Sequence, residues 1–127
     1  MAASANVKTT TNASSTSIPP VSVIISSFNE ERNIEETINR IFAILPNAEV
    51  ILVEGGNDKT IQIAEELKKR KNYASLKIIR NTNDLGKGHG IRIGIAHATK
   101  EIMAQVDADS QFPPEELPAL LKPILEQ

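Results

Sequence analysis

The stretch Val21-Ser22-Val23-Ile24-Ile25 is nearly continuous in apolar, mostly β-branched residues. Such a run is typical of a strand that is buried on both faces, as in a parallel sheet that helices cover on each side. Further strands are predicted at 49–53, 76–79 and 102–106, each separated from the next by a helical pattern. The predicted helices span about 30–45, 60–71 and 86–98, with a last one from 114 onward. This alternation predicts a three-layer α/β fold with a mainly parallel sheet.

The bulk properties restrict the partner and the compartment. The chain has 127 residues, enough for one domain, and its net charge of −2 gives no general attraction to nucleic acid. Residues 1–17 are rich in Ser, Thr and Asn and predict a disordered tail without a signal peptide, ahead of a domain at 18–127. No cysteine is present, and no apolar run reaches the roughly 20 residues of a membrane span. A cytoplasmic protein is therefore expected.

Ligands of parallel sheets bind outside the carboxyl ends of the strands. The loops in that position span 26–30, 54–59, 80–88 and 107–112. In the last loop, Asp107 and Asp109 are two residues apart and can point to the same side of an extended chain. Carboxylates so close repel each other unless a cation lies between them, and oxygen ligands suit Mg²⁺ or Mn²⁺. Gln111 adds a neutral oxygen. The alternative is that the aspartates only cap the helix opened by the two following prolines.

The segment from Val106 to Leu117 resembles the Asp-x-Asp segment of family-2 glycosyltransferases, especially the polyprenol-phosphate sugar synthases. Asp107, Ala108, Asp109 and Gln111 match it position by position, and three other loops agree in order, so that the resemblance covers about residues 20–127. It implies a Rossmann-like GT-A fold, the fold of nucleotide-diphospho-sugar transferases. It also implies that the two aspartates and the glutamine hold Mg²⁺ or Mn²⁺, and that the segment binds the sugar nucleotide.

The loop after the first strand is similar to the family's Pro-x-Tyr-Asn-Glu segment. The nucleotide-contacting positions are here Ser26, Phe28 and Glu30. Phe28 keeps an aromatic ring but lacks the hydroxyl of tyrosine, and Ser26 lacks the fixed φ of proline. The loop also predicts a helix start, with Asn29 as the N-cap and Glu30 and Glu31 in the first turn.

The loop after the second strand departs from the family. Where the family has two aspartates, this chain has Glu54 and Gly55, and its loop is one residue shorter. The resemblance still implies donor binding by Val53 and Glu54, whereas the base that is recognised stays open. Asp58 and Thr60 match the part of the segment that opens the next helix, and capping is the favoured interpretation for them.

The third loop, from Asn83 to Gly88, resembles the family's Asn-x-Gly-Lys-Gly segment. Its glycines let backbone amides approach a diphosphate at a helix N-terminus, and Lys87 adds a positive charge. Neither a Rossmann dinucleotide fingerprint nor a P-loop is present. In the helix that follows, Gly90 and Gly94 predict close packing on the sheet. The apolar face of this helix is predicted to carry Ile91, Ile95 and Ala98.

The resemblance implies a glycosyltransferase that moves a sugar from a GDP- or UDP-sugar to an acceptor with inversion, polyprenol phosphate being one candidate. In the family the acceptor half of the domain follows the point where this chain stops, so a truncated domain with unknown acceptor-side catalytic residues is expected. A non-catalytic nucleotide-sugar-binding module that needs another chain is the alternative. A phosphoryl-accepting receiver domain is disfavoured, because its acidic cluster after the first strand is absent.

Two expectations concern assembly and location. A lipid-phosphate acceptor would place the protein peripherally at the membrane. An open four-stranded sheet edge is prone to self-association, so a homo-oligomer or a completing domain is expected.

Overall fold

The computed structural model describes residues 4–6, 20–83 and 85–109. The strands are β1 (Ser4–Asn6), β2 (Val21–Ser27), β3 (Glu49–Glu54), β4 (Leu76–Arg80) and β5 (Ile102–Gln105). The helices are α1 (Ile34–Ile44), α2 (Thr60–Lys71) and α3 (Lys87–His97). The four strands predicted from the sequence are confirmed to within about two residues. The helix predicted from residue 114 lies outside the described residues. No helix in the described part of the chain is long and apolar enough to cross a membrane.

The strands form one sheet in the order β1-β5-β2-β3-β4. The strands β2 to β5 are parallel to their neighbours, whereas β1 pairs antiparallel with β5. The strand β1 was not predicted, because residues 1–17 carry no strand pattern. Without it β5 would be an edge strand with unpaired backbone groups, and main-chain pairing with such an edge needs no apolar side chains. The boundary at residues 17 and 18 stays a prediction.

Helices cover both faces of the sheet, which confirms the three-layer α/β architecture. The helices α1 and α2 bury their apolar side chains against one face. The helix α1 is buried along one stripe, in which Ile34, Ile38 and Ile41 are fully buried. On the other face, α3 packs through Ile93 against a smaller cluster built on Ile24, with Ile51 and Val53 beside it.

The topology places a crevice between β2 and β5. The helix α1 follows β2 on one face of the sheet, whereas α3 precedes β5 on the opposite face. The chain order therefore reverses between these two neighbouring strands, and ligands of parallel sheets bind at such a switch point, outside the carboxyl ends of the strands.

At the opposite end of the sheet lies a buried carboxylate, that of Glu49. Its Oε1 accepts hydrogen bonds from the Ser22 hydroxyl (2.7 Å) and the Thr99 amide (2.8 Å), and its Oε2 accepts one from the Thr99 hydroxyl (3.0 Å). The Nζ of Lys77 lies 2.6 Å from the same Oε2. Burial raises the pKa of Glu49, but the hydrogen bonds from Lys77, Ser22 and Thr99 outweigh it and lower this pKa to about 2.

Candidate functional site

A cleft of about 240 Å³ opens at the carboxyl ends of β2 and β5. Below we call it the strand-end cleft. Its walls are formed by Ser26, Ser27, Phe28, Glu30, Gly86, Lys87, Asp107, Ala108 and Asp109. Seven of these nine residues were predicted as site residues from the sequence. The other two are Ser27 and Gly86, and the loops that contain them were already expected to form the site.

One wall carries the two aspartates that follow β5. Ala108 between them is buried, and its carbonyl accepts a hydrogen bond from the Thr37 hydroxyl of α1 at 3.2 Å. This contact fixes the turn to the helix layer. Both neighbouring side chains line the cleft, that of Asp107 partly buried and that of Asp109 exposed. The convergence predicted from the two-residue spacing is therefore present.

The opposite wall is the start of α3. Gly86 precedes the helix with a backbone φ of 106°, a conformation that residues other than glycine rarely adopt. The Nζ of Lys87, on the first residue of α3, lies 2.5 Å from Oδ1 of Asp107. Gln105 donates to the same oxygen from its Nε2, at 2.9 Å. The ammonium thus bridges the cleft from the wall of α3 to the aspartate wall.

Two glycines hold α3 close to β2. A Cβ at Gly90 would overlap the Ser26 hydroxyl, and one at Gly94 would overlap Cγ2 of Ile24. Ser26 also donates a hydrogen bond to the Lys87 carbonyl at 3.3 Å. The prediction that these glycines permit close packing is confirmed, and this packing sets the position of Lys87 over the cleft.

The predicted apolar face of α3 is wrong in part. Ile95 is 45% exposed, while the buried positions of the helix are Gly90 and Gly94. Hydrophobic periodicity selects large side chains, so it misses a helix whose contact face is built from glycine.

The loop after β2 is locked to the loop after β3. Asn29 has a φ of 57°, and its Oδ1 accepts hydrogen bonds from the amides of Asn57 (2.8 Å) and Asp58 (3.0 Å). The prediction that Asn29 caps the first helix is therefore wrong, because α1 begins only at Ile34. A three-residue turn lies between them, and the side chain expected to cap a helix instead joins two loops.

Glu54 is buried beneath these two loops. Its Oε2 accepts hydrogen bonds from the amides of Asn29 (2.8 Å) and Gly56 (2.9 Å), and its Oε1 accepts one from the Ser27 hydroxyl. Glu54 and Val53 are both about 1% exposed and do not line the cleft. The other predicted donor-binding residues line the cleft together. Glu54 and Val53 do not, because Glu54 is hydrogen-bonded within the two loops and Val53 is packed in the apolar cluster beneath α3.

Asp58 stabilises the start of α2, as predicted. Its Oδ1 accepts hydrogen bonds from the Thr60 amide at 2.9 Å and from the Thr60 hydroxyl. Burial slightly raises the pKa of Asp58, but these hydrogen bonds and that from the Glu31 amide outweigh it and lower the pKa. The Thr60 hydroxyl in turn accepts from the Glu30 amide at 3.0 Å, which adds a second link between the two loops.

Comparison with known proteins identifies the family. Residues 22–127 match the family model described as Glycosyl transferase family 2. The chain belongs to glycosyltransferase family 2.

Individual relatives agree with this assignment. The chain is 36% identical over 107 residues to the dolichol-phosphate mannosyltransferase of Pyrococcus furiosus, covering 82% of this chain and 30% of that protein. Its structure is similar to that of the mannosyltransferase PcManGT from Pyrobaculum calidifontis in complex with GDP-Man and Mn²⁺, with a TM-score of 0.71 and 28% identity. That match covers 80% of this chain and 31% of PcManGT. The GT-A fold implied by the sequence resemblance is confirmed.

A second similar structure is that of S. aureus TarS 1-349 in complex with UDP. Its TM-score is 0.62 at 29% identity, covering 70% of this chain and 27% of TarS 1-349. The chain therefore spans less than a third of the length of each of these three relatives.

The donor atoms of the cleft fit a divalent metal. Gln111, the third predicted ligand, lies outside the described residues. Within residues 4–6, 20–83 and 85–109, no group of three or more His, Cys, Asp or Glu side chains could enclose a metal ion. Asp107 and Asp109 supply two carboxylates on one wall, and Mg²⁺ commonly binds through one or two carboxylates together with substrate phosphates and water. The residues of this family-2 chain fit such an open site rather than a closed protein cage.

Proposed function

We propose that the strand-end cleft binds a nucleoside-diphosphate sugar together with Mg²⁺ or Mn²⁺. The observation that carries this proposal is the pairing of two unlike walls. Asp107 and Asp109 offer oxygen ligands for a cation, and across from them the N-terminus of α3 offers backbone amides and the Lys87 ammonium. A diphosphate with its metal ion needs this combination, because its oxygens interact with both cation and N–H donors.

Each side chain has a part in this proposal. Asp107, Asp109 and Gln111 would hold the metal, which neutralises the charge that develops on the diphosphate leaving group. Phe28 is 58% exposed at the mouth of the cleft and offers a ring against which a base can pack. Glu54 and Asn29 would keep the loops after β2 and β3 in place without touching the donor.

The reaction we propose is transfer of the sugar to an acceptor with inversion at the anomeric carbon. The name of the Pyrococcus relative supports a polyprenol phosphate as acceptor, and the GDP-Man complex of PcManGT supports a GDP-sugar as donor. The UDP complex of TarS keeps a UDP-sugar as the alternative donor. A lipid acceptor fits a cytoplasmic protein at the membrane surface.

Calorimetry with GDP and UDP, each with and without Mn²⁺, tests the binding site. Asp109→Ala removes one carboxylate from the cleft, and Glu66→Ala removes one from an exposed position on α2 as the matched control. Loss of a ligand's supporting contacts alone costs roughly 10- to 100-fold in metal affinity, so loss of a ligand should weaken Mn²⁺-dependent nucleotide binding by at least about 100-fold. Binding that is equally strong in Asp109→Ala, or absent in the wild-type chain, would refute the proposed site.

A transfer assay separates the transferase from the binding module considered as its alternative. The 127-residue chain is incubated with Mn²⁺, radiolabelled GDP-mannose and a short polyprenyl phosphate, and the lipid fraction is counted. Label in the lipid that depends on Asp109 supports transfer by this chain. Nucleotide binding without transfer favours a donor-binding module that needs another chain.

A further inference from the structure

The lysine–aspartate pair of the cleft has a consequence for the order in which ligands bind. We propose that Lys87 acts as a built-in counter-cation on Asp107 and moves to the diphosphate when the donor binds, so that metal binding depends on nucleotide. This inference rests on the proposed function and adds to it a coupling between the two ligands.

The first supporting observation is that the pair occupies one oxygen of Asp107, a residue proposed to hold the metal. The Lys87 Nζ lies 2.5 Å from Oδ1 of Asp107, and Gln105 donates to the same oxygen. A metal that binds through this atom must displace a positive charge and a hydrogen bond first. Mn²⁺ alone should therefore bind more weakly than two adjacent carboxylates would otherwise allow.

The second observation is the asymmetry of exposure within the pair. The side chain of Asp107 is 17% exposed, whereas that of Lys87 is 55% exposed. The aspartate follows directly on β5 and is mostly buried, while the lysine has a long, flexible stem that is more than half exposed. The partner that can move is therefore the lysine.

The third observation is that the destination lies nearby. Lys87 is the first residue of α3 and lines the same cleft as both aspartates. A diphosphate at the α3 N-terminus would bring further negative charge next to Asp107. Lys87 can lower the repulsion by bridging to the phosphate, and Asp107 then becomes available to the metal. Because coupling is reciprocal, bound metal must strengthen nucleotide binding by the same factor.

Lys87→Met separates this role from a structural one, since it keeps the stem and removes the charge. Mn²⁺ binding in the absence of nucleotide is measured from the electron paramagnetic resonance signal of the free ion. We expect the Mn²⁺ affinity to rise roughly two- to fivefold, the effect of removing a partly exposed ion pair. In the same variant, metal-free binding of GDP and of UDP should weaken about threefold or more. Opposite signs are the signature, because a lysine that merely positions Asp107 would weaken both ligands on removal.

Two variants control the measurement. Lys87→Arg retains the charge and should restore the wild-type behaviour for both ligands. Lys71→Met removes an equal charge from an exposed residue at the C-terminal end of α2 that does not line the cleft, and it should change the binding of neither ligand. Thermal unfolding of each variant verifies that the fold is intact.

The outcomes distinguish this inference from the function on which it rests. Mn²⁺ affinity in Lys87→Met that is equal to or below that of the wild type, including no detectable binding by either, would overturn the counter-cation role. Wild-type protein that binds neither nucleotide with Mn²⁺ would instead overturn the proposed function. A normal nucleotide site together with unchanged metal affinity in Lys87→Met would leave the proposed function standing without the coupling.

Discussion

The sheet carries a lysine–carboxylate pair at each end. The two pairs have similar N–O distances, but their carboxylates differ in burial and in their other hydrogen-bond partners. Lys77 lies 2.6 Å from Glu49 at the amino ends of the strands, and Lys87 lies 2.5 Å from Asp107 at the carboxyl ends. The Glu49 carboxylate is 7% exposed and has three further hydrogen bonds from neutral groups. Within the described residues, Asp107 accepts a hydrogen bond from one neutral group, the Gln105 side-chain amide, and it shares its cleft with a second carboxylate.

The difference separates a carboxylate used for stability from one available to a ligand. Glu49 has neutral donors on both oxygens, so its negative charge is matched even before the lysine is counted. Asp107 faces a cleft in which Asp109 adds like charge, so its negative charge depends on a cation, which in this structure is the Lys87 ammonium. A salt-bridge distance alone does not reveal this. The number of neutral donors and the charge of the neighbours do.

Exchanging each carboxylate for its amide should give the largest difference between the two ends of the sheet. Glu49→Gln should lower the free energy of unfolding in urea by about 2–3 kcal/mol, because an amide cannot accept at both oxygens and places an N–H against the donors of Thr99 or Ser22. Asp107→Asn should change the unfolding free energy by less than about 1 kcal/mol, because it relieves repulsion with Asp109 while it loses an exposed pair. Mn²⁺-dependent nucleotide binding should show the reverse pattern and be lost only in Asp107→Asn.

Two results would remove this distinction. One is a strongly destabilised Asp107→Asn protein, which would make that carboxylate structural. The other is a Glu49→Gln protein that folds normally but no longer binds nucleotide. Circular dichroism of both variants before titration ensures that the binding data come from folded protein.

The pH dependence of stability should come largely from the amino-end pair. The pKa of Glu49 is about 2 in the folded chain against 4.5 for the ordinary group. Its contribution is thus fully present above about pH 4.5 and is lost as the pH falls toward 2. Between pH 7 and pH 3 the loss should be about 2 kcal/mol. Urea unfolding at several pH values measures it, and Glu49→Gln should flatten the curve between pH 5 and 3. An equally steep curve in that variant would assign the effect to other carboxyl groups.

The helix α3 connects the two regions, so its packing tests them together. Its first residue is Lys87, and the segment just after it contains Thr99, which donates to Glu49. Gly94→Ala places a methyl group against Ile24 and should cost about 1–3 kcal/mol of unfolding free energy. Gly88→Ala lies in the same helix with open space around it and is the matched control. It should be neutral or stabilising by up to about 1 kcal/mol.

The two glycine variants should also differ in the pKa of Glu49. A displaced α3 should raise the folded-state pKa of Glu49 in Gly94→Ala but not in Gly88→Ala. Gly94→Ala should also weaken nucleotide binding at the cleft. Destabilisation of equal size in both variants would show that helix propensity, not the contact with β2, is the cause.

The sequence predicts the strands and most of the cleft, for a reason visible in β2 and β5. Buried parallel strands read as continuous apolar runs, and polar residues that interrupt a run at its carboxyl end stand out, as Ser26 and Asp107 do. Topology alone then brings those residues together. What cannot be read is a contact between distant polar side chains. Glu49, the first residue of β3, carries no local sign that Thr99 and Ser22 lie beside it.

Two other misses have the same origin. Asn29 satisfies every local rule for a helix cap, yet its Oδ1 bonds to amides 28 and 29 residues away. Glu54 stands at the position of a ligand-contacting acid, but the amides of two loops occupy it. Local propensity describes what a side chain does with its own neighbours. It cannot show whether a hydrogen bond to a local group or one to a residue distant in sequence is the more stable.

The smallest expected effect concerns the two lysines themselves. Lys77→Met should lower the unfolding free energy by about 1–2 kcal/mol, because it removes a charged hydrogen bond to a buried carboxylate. Lys87→Met should change the unfolding free energy by less than about 0.5 kcal/mol, because the lysine side chain is 55% exposed and an ion pair with an exposed partner contributes little. Raising the salt concentration to about 1 M shortens the screening length to roughly 3 Å. It should further reduce the small effect of Lys87→Met on the unfolding free energy, while leaving most of the effect of Lys77→Met. Urea unfolding of both variants at two salt concentrations measures this. Equal losses, with equal salt dependence, would mean that the two ends of the sheet use their lysines in the same way.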